Sequence, residues 1–435
     1  EKDGTVTNSD RTISRQRAAL PPPGQARPDW AILAETGRRM GWAKAFDYQS
    51  PAEIFREHAA LSGIAGRFGR DFDISGLAAL DDAGYAGFEP TRWPVNAAKQ
   101  GGRFFAGGGF FHPDGRARFI PVTHRAPAAR TEPRFPFRLN TGRVRDQWHT
   151  MTRTGLSPRL SAHLAEPFLD IHPTDADRLG LRPADLARVS SPTGSAILRV
   201  RITDAVQTGQ LFAPMHWTGE TAPSARIDAL IAGATDPVSG QPESKAAVVA
   251  VERFPAAWYG FAVSSGEMSP TPDYWALART TGGSRAELAG VQAPGDWETA
   301  ARALFALPAA EAVSVTDPKR GIARIAFHRN GRLLAALFVA PEPVAVMRDY
   351  LATLPGTEAA AILTGRTPAD VPDPGPVICS CFGIGLNTLI DAIESRGLAS
   401  VDAIGAALRA GTNCGSCRPE LADLLARARV PEAAE

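Results

Sequence analysis

The sequence predicts a multidomain α/β plus β protein. It reads as an α/β segment, a small β-barrel, a smaller α+β segment and a helical cysteine module. Three observations predict this. Two helix signals, one with a capping box, and glycine-rich loops occupy the first 125 residues. Short apolar strands with Gly turns begin at Phe137. All four cysteines of the chain fall at its C-terminal end, as Cys379-Ser-Cys381 and Cys414-Gly-Ser-Cys417. The 435 residues suffice for about three domains, and 44% hydrophobic content is ordinary for a globular chain. A net charge of +1 offers no electrostatic argument for a nucleic-acid partner. No apolar run approaches the ~18 residues of a membrane span, so no membrane partner is expected.

The elements are justified in chain order. The opening Glu1-Lys2-Asp3-Gly4-Thr5 has neither Met nor an apolar leader, so we expect the C-terminal part of a longer protein. Pro21-Pro22-Pro23-Gly24 reads as a rigid linker. A helix is expected from Asp29 to Met40, ended by Gly41. Ser50-Pro51-Ala52-Glu53 predicts a second helix: Ser50 caps, proline suits the first helical position, and Glu53 completes a capping box. Glycine pairs around Phe104 to Phe111 predict loops and short strands that close the α/β segment, residues 1–125.

From 130 to 255 the pattern is short strands: Phe137 to Asn140, Ala187 to Ser190, Ala196 to Ile202, Gln210 to Ala213 and Ala246 to Val251. One helix, Thr174 to Leu179, is inserted, with Thr174 as its expected cap. Residues 256–370 form the α+β connecting region. Its clearest unit is a hairpin, Ile322 to Arg329 and Arg332 to Val339, turned by Asn330-Gly331. A proline-rich linker from Val371 opens the last module, 371–435. There Leu386, Leu389, Ile390 and Ile393 make an apolar helical stripe. Ser400 is expected to cap a second helix ending near Gly411, and Pro419 to start a third through Leu425.

Two constellations carry chemistry. Two close cysteine pairs separated by a helix-sized insert can converge four thiolates on a metal or an iron–sulfur cluster. Zinc sites favour C-x2-C pairs or add histidine, whereas one pair here is C-x-C; zinc and unliganded thiols remain the alternatives. The second is Thr141-Gly142-Arg143-Val144-Arg145-Asp146-Gln147-Trp148-His149-Thr150. Glycine admits a close backbone approach, hydroxyls donate, and arginine pairs bidentately with phosphate, which suits a pyrophosphate. A solvated polar loop is the other reading of the same residues.

Resemblance narrows both. The contexts Cys379-Ser-Cys381-Phe-Gly-Ile-Gly and Cys414-Gly-Ser-Cys417-Arg-Pro-Glu resemble the bacterioferritin-associated-ferredoxin-like (BFD-like) domain, in which four cysteines hold a [2Fe–2S] cluster. Glu1-Lys2-Asp3-Gly4-Thr5-Val6-Thr7-Asn8, Pro22-Pro23-Gly24-Gln25-Ala26-Arg27-Pro28-Asp29-Trp30 and Phe55-Arg56-Glu57-His58 resemble the molybdopterin oxidoreductases, specifically the bacterial assimilatory nitrate reductases. The resemblance implies a double-psi β-barrel that binds molybdopterin guanine dinucleotide, part of a molybdenum-bis(molybdopterin guanine dinucleotide) cofactor. It carries dinucleotide contacts onto Lys2, Asp29, Thr141, Gly142, Arg143, Val144, Arg145, Asp146, Gln147, Trp148, His149, Thr150, His216, Trp217, Asp228 and Lys245. Relatives often have Asn at the position of Asp228. Cluster ligands fall on Cys379, Cys381, Cys414 and Cys417.

The family's [4Fe–4S] motif and molybdenum ligand belong to an N-terminal half with no counterpart here, so no catalytic residue is named. The implied activity is reduction of nitrate to nitrite in nitrate assimilation, in the cytoplasm. The C-terminal cluster would relay electrons from an NAD(P)H-linked flavoprotein, ferredoxin or flavodoxin. The missing N-terminal half is the expected partner, and the chain by itself is expected to be inactive. Another molybdopterin oxidoreductase, such as a formate dehydrogenase, or a non-enzymatic iron–sulfur electron-transfer module are the alternative readings.

Overall fold

The computed structural model describes residues 2–429 apart from Arg67, Val122, Val238, Ala360, Ala369 and Asp370. Glu1 of the opening motif and residues 430–435 lie outside them. The chain forms two compact units, Glu1–His124 and Arg125–Glu435.

In the first unit a three-stranded antiparallel sheet, Gly4–Thr7, Thr12–Gln16 and Thr91–Arg92, accompanies helices Asp29–Arg39 and Pro51–Gly66. Asp29 in the first turn and Arg38 and Arg39 in the last complement the dipole of the shorter helix. The Ser50 hydroxyl accepts the Glu53 N–H at 3.4 Å, but the Glu53 carboxylate reaches the Gln49 N–H at 2.8 Å, one residue before the expected partner. Ile13, Phe55, Ala59, Ile74, Tyr85 and Phe88 form the core. The short strands expected around Phe104 to Phe111 are absent among the described residues. The stretch forms loops whose Phe104, Phe105, Phe110 and Phe111 rings pack on one another.

The second unit opens with a closed six-stranded barrel. Around it run Phe137–Gly142, Gln210–Pro214, Phe168–Ile171, Ser195–Ile202, Leu186–Ser190 and Ala247–Arg253. Two of its pairings are parallel, Phe137–Gly142 with Gln210–Pro214 and Phe168–Ile171 with Ser195–Ile202. Leu139, Leu169, Ile171, Leu186, Leu198 and Leu211 fill its core. The inserted helix, Pro173–Leu179, starts one residue before the expected position. Its cap is His172, whose Nδ1 accepts the Thr174 N–H at 3.2 Å; Thr174 itself is helical and supplies the donor.

A six-stranded antiparallel sheet comes next, in the order Tyr274–Thr280, Gly283–Gly290, Trp258–Ser264, Arg332–Ala340, Ile322–Arg329, Glu311–Asp317. The central strand Trp258–Ser264 is buried along its whole length. Tyr259, Phe261 and Val263 join the barrel's core, while Trp258 and Ala262 pack with Leu304 and Phe305 of helix Trp297–Phe305. The Asn330-Gly331 turn has positive φ at both residues, 52° and 76°, as a two-residue type I′ hairpin requires.

A buried ion network joins barrel to sheet. Arg199 Nε lies 3.2 and 3.1 Å from the two Glu166 carboxylate oxygens, and the Tyr274 hydroxyl donates to Glu166 at 2.8 Å. Arg348 grips Glu287 through Nε at 2.6 Å and Nη2 at 3.0 Å, while Arg199 Nη2 stands 3.7 Å from Glu287. Burial pushes the Glu166 carboxyl up against the pull of Arg199. Burial opposes ionisation of Glu287 too, but Arg348 and then Arg199 hold its carboxyl below the ordinary value.

The cysteine segment is a two-stranded hairpin, Val377–Cys379 with Ile384–Gly385, trailed by helices Leu386–Arg396, Val401–Leu408 and Arg418–Arg429. Leu389, Ile393, Ile404, Leu421 and Leu425 pack with Cys379 and Cys417. Ile390, expected on the apolar stripe, is exposed; Ala392 is buried instead. Ser400 caps the second helix, accepting the Ala403 N–H at 3.1 Å. That helix stops at Leu408, before the expected Gly411, because Arg409 turns left-handed at φ 65°.

Candidate cofactor-binding site

The strand Phe137–Gly142 delivers its C-terminal end to the polar loop. Thr141 is buried, and its hydroxyl donates to the Ser244 carbonyl at 2.8 Å. The Lys245 ammonium donates to the Thr141 carbonyl, so Lys245 stands at the mouth of the loop. Gly142 is required by packing. A Cβ there would lie 2.6 Å from Cε2 of Phe212 on the neighbouring strand. Arg143 is exposed, and no described residue forms an ion pair with it.

His216 fixes the shape of the loop from Val144 to His149. It is fully buried, its Nε2 accepts the Val144 N–H at 2.9 Å, and its Nδ1 lies 2.6 Å from the His149 carbonyl. An imidazole that accepts at Nε2 and donates at Nδ1 is neutral. Burial, together with the nearby positive charge of Arg143, holds its pKa below the ordinary histidine value, against the pull of the His149 carbonyl. His149 and Met151 carry positive φ, 44° and 60°, a conformation non-glycine residues adopt at some cost.

His216 also makes stability depend on pH. An unfolded His216 takes up a proton near pH 6.5, whereas the folded one resists it. Stability is therefore lost as pH falls below that value. The wild type should lose urea resistance through this range, and His216→Gln should lose less, as read from unfolding midpoints.

The remaining candidates are spread over several places. Gln147 is buried; its Nε2 lies 3.4 Å from the Leu160 carbonyl, and its Oε1 has no partner among the described residues. Trp148 and Thr150 are exposed, and Trp217 is buried. Thr150 lines a cavity of about 280 Å³ with Met151, Thr218, Met268 and Arg279. Asp228 is exposed on a short turn of helix, Ile227–Leu230. In the first unit Lys2 and Asp29 pair at 3.0 Å and line a cavity of about 370 Å³ with Trp30 and His58. The exposed cation Arg143 suits the phosphates of a dinucleotide, and the unmatched Gln147 acceptor suits an N–H of its base or pterin.

Arg145 and Asp146 turn to the cysteine segment. Arg145 Nη1 donates to Glu420 at 2.6 Å, and Nη2 donates to the Ile378 carbonyl. Asp146 accepts from Ser380 at 3.1 Å and lies 3.0 Å from Nδ1 of His163. Burial opposes ionisation of Asp146, but His163 and Arg145 hold its carboxyl below the ordinary range.

The four sulfurs meet as two couples. Cys381 and Cys414 lie 3.3 Å apart, and Cys379 and Cys417 contact each other inside the module core. Among the described residues, no group of three or more His, Cys, Asp or Glu side chains is disposed around a single metal ion. Asn413 Nδ2 reaches Cys381 at 3.3 Å and the Ser416 hydroxyl lies 3.0 Å from Cys414. Hydrogen bonds from Ser416 draw the Cys414 thiol below its ordinary value, whereas burial and Cys379 push Cys417 up to about 11. An all-thiol donor set with hydrogen-bond donors on its sulfurs fits an iron–sulfur centre. Sequence reasoning missed His163, Asn413, Ser416 and Glu420. Glu420 stands inside the Cys-Arg-Pro-Glu context, and its partner is far away in the chain.

Comparison with known proteins places families on these segments. Residues 137–248 match the molydopterin dinucleotide binding domain, 377–427 the BFD-like [2Fe-2S] binding domain, and 1–39 the molybdopterin oxidoreductase domain. A nitrate reductase of Klebsiella oxytoca is 41% identical over 98% of this chain and 49% of its own length. An assimilatory nitrate reductase catalytic subunit of Bacillus subtilis is 30% identical over 58% of this chain and 34% of its own. An F420-dependent formate dehydrogenase 2 subunit alpha of Methanococcus maripaludis is 31% identical over 58% and 35%. The chain thus spans at most about half the length of these relatives. Among the described residues no helix is long and apolar enough to cross a membrane.

Proposed function

We propose, for a chain that belongs to the molybdopterin oxidoreductase family, that it is the dinucleotide-holding and electron-entry part of an assimilatory nitrate reductase. The observation that carries this reading is the direct contact between the polar loop and the four-cysteine module, through Arg145 and Glu420 and through Asp146 and Ser380. A dinucleotide site and an electron-carrying centre that touch within one chain suit a redox enzyme better than a free-standing iron–sulfur carrier. The likeness to the Klebsiella nitrate reductase is 41% identity over 98% of the chain, cysteine module included; the formate dehydrogenase is 31% identical over 58%, a share that the Bacillus nitrate reductase also has. This favours nitrate over formate.

In this reading Cys379, Cys381, Cys414 and Cys417 hold a [2Fe–2S] cluster, whose two irons suit sulfurs gathered in two couples. Arg143, Lys245, Thr150 and the neutral backbone clamp at His216 hold one dinucleotide of the molybdenum cofactor. The cofactor supplies the oxygen-atom chemistry, and these residues bind and orient it. Nitrate takes up two electrons and two protons and leaves as nitrite and water. The electrons enter from a flavoprotein, ferredoxin or flavodoxin in the cytoplasm, and the N-terminal half of the enzyme supplies the metal ligand.

Arg143→Ala tests the loop. No described residue pairs with its guanidinium, so losing it removes a charge-assisted contact to the ligand of roughly 1.5–3 kcal/mol, about ten- to hundredfold in affinity. Arg201 is the control, because both its hydrogen bonds go to Asp170, at 2.5 and 2.8 Å, and its guanidinium lies over the Phe168 ring. Molybdenum and guanine nucleotide per folded enzyme should fall in Arg143→Ala and hold in Arg201→Ala. Equal content in both variants overturns the assignment.

A further inference from the structure

We infer that Arg145 is a positioning residue for the sulfur centre, holding the cysteine module on the barrel and raising the centre's reduction potential. The inference rests on the cluster reading above and adds the role of a residue outside the cysteine module.

Its geometry is that of a clamp. The side chain is largely buried. Nη2 binds the carbonyl of Ile378, the residue before Cys379. Nη1 binds Glu420, three residues beyond Cys417, at 2.6 Å, and Nε binds Asp146 at 2.9 Å. Asp146 in turn receives the hydroxyl of Ser380, which lies between Cys379 and Cys381. One dipeptide of the barrel loop therefore holds the chain beside three of the four cysteines.

The electrostatic effect arises from the same contacts. His163 packs against both acids, with Nδ1 3.0 Å from Asp146 and Nε2 3.6 Å from Glu420. Arg145 is the permanent cation facing these two carboxylates. One-electron reduction adds a negative charge to a centre held by four thiolates. A fixed cation in a water-poor setting stabilises that added charge, and a carboxylate opposes it.

The test is a potentiometric titration of the full chain, purified anaerobically and reduced by dithionite, with iron, sulfide and electron-spin spectra recorded for each variant. Arg145→Gln should lower the midpoint, changing the reduction equilibrium about tenfold, or about 59 mV for one electron. Arg145→Lys should keep the midpoint near the wild-type value. Glu420→Gln should raise it. A role in packing alone moves both neutral variants the same way, so that outcome overturns the inference, as does an unchanged midpoint in Arg145→Gln. Should Arg145→Gln lose its cluster, a wild-type midpoint in Arg145→Lys with a raised one in Glu420→Gln supports the inference, and any other pair of values overturns it. A wild-type chain without a [2Fe–2S] spectrum overturns the cluster reading itself, and the inference with it.

Discussion

Cys417→Ala should abolish iron binding by the chain. The wild-type chain, purified without oxygen, should be brown and carry about two irons and two sulfides, the content of a [2Fe–2S] centre. Cys417 lies in the module core beside Cys379, immediately before helix Arg418–Arg429, and no histidine or carboxylate of the described residues completes an alternative set. Three thiolates leave one iron coordination position unfilled in the module core, so the variant should retain less than about a tenth of the wild-type iron. Iron and sulfide assays, with the visible spectrum, decide the matter. A colourless wild-type protein with one zinc per chain defeats the cluster assignment.

Glu287→Ala should destabilise the Arg125–Glu435 unit by about 3–5 kcal/mol, the cost of breaking a buried pair and leaving its charge unpaired. The lost carboxylate strands Arg348, which it binds through two nitrogens, and weakens the field around Arg199. Urea unfolding should show a lower midpoint at unchanged slope. The half-exposed pair Glu298–Arg302 gives the contrast, since Glu298→Ala should cost under about 1 kcal/mol. The sign with pH is fixed by the lowered Glu287 value. Its stabilisation is present above the ordinary glutamate value of 4.5 and disappears as pH falls through the folded value. The deficit of the variant should therefore shrink in acid. A deficit that grows in acid means that Glu287 is held neutral in the folded protein.

The elements legible in the sequence are those with local signals. The hairpin around Asn330-Gly331 is set by its turn chemistry, and the barrel strands Leu186–Ser190 and Ser195–Ile202 by the polar turn between them. Phe168–Ile171 went unread because all four residues are buried, which erases the alternation that marks a half-exposed strand. Trp258–Ser264 escaped for the same reason. The cysteines were legible because the chain has only four. The contact between Arg145 and Glu420 was not, because 275 positions separate the partners and neither residue differs in type from a surface charge. His216 was legible as a residue of the site, but its two hydrogen bonds to loop backbone depend on a turn that only the folded chain displays.

The barrel's strand order also bears on how the chain is made. Phe137–Gly142 has Gln210–Pro214 on one side and Ala247–Arg253 on the other, with Phe137 opposite Val249. Neither neighbour is adjacent to it in sequence, so loop-closure entropy must be spent before any pairing rewards it. On a ribosome one edge of this strand waits open until Pro214 has emerged, and the other until residues near Arg253 have. The turn-closed hairpin of Ile322–Arg329 and Arg332–Ala340 can form as soon as it appears. The loop read here as the cofactor's seat therefore takes shape late, and bare strand edges in the waiting interval are where unwanted association with other chains can begin.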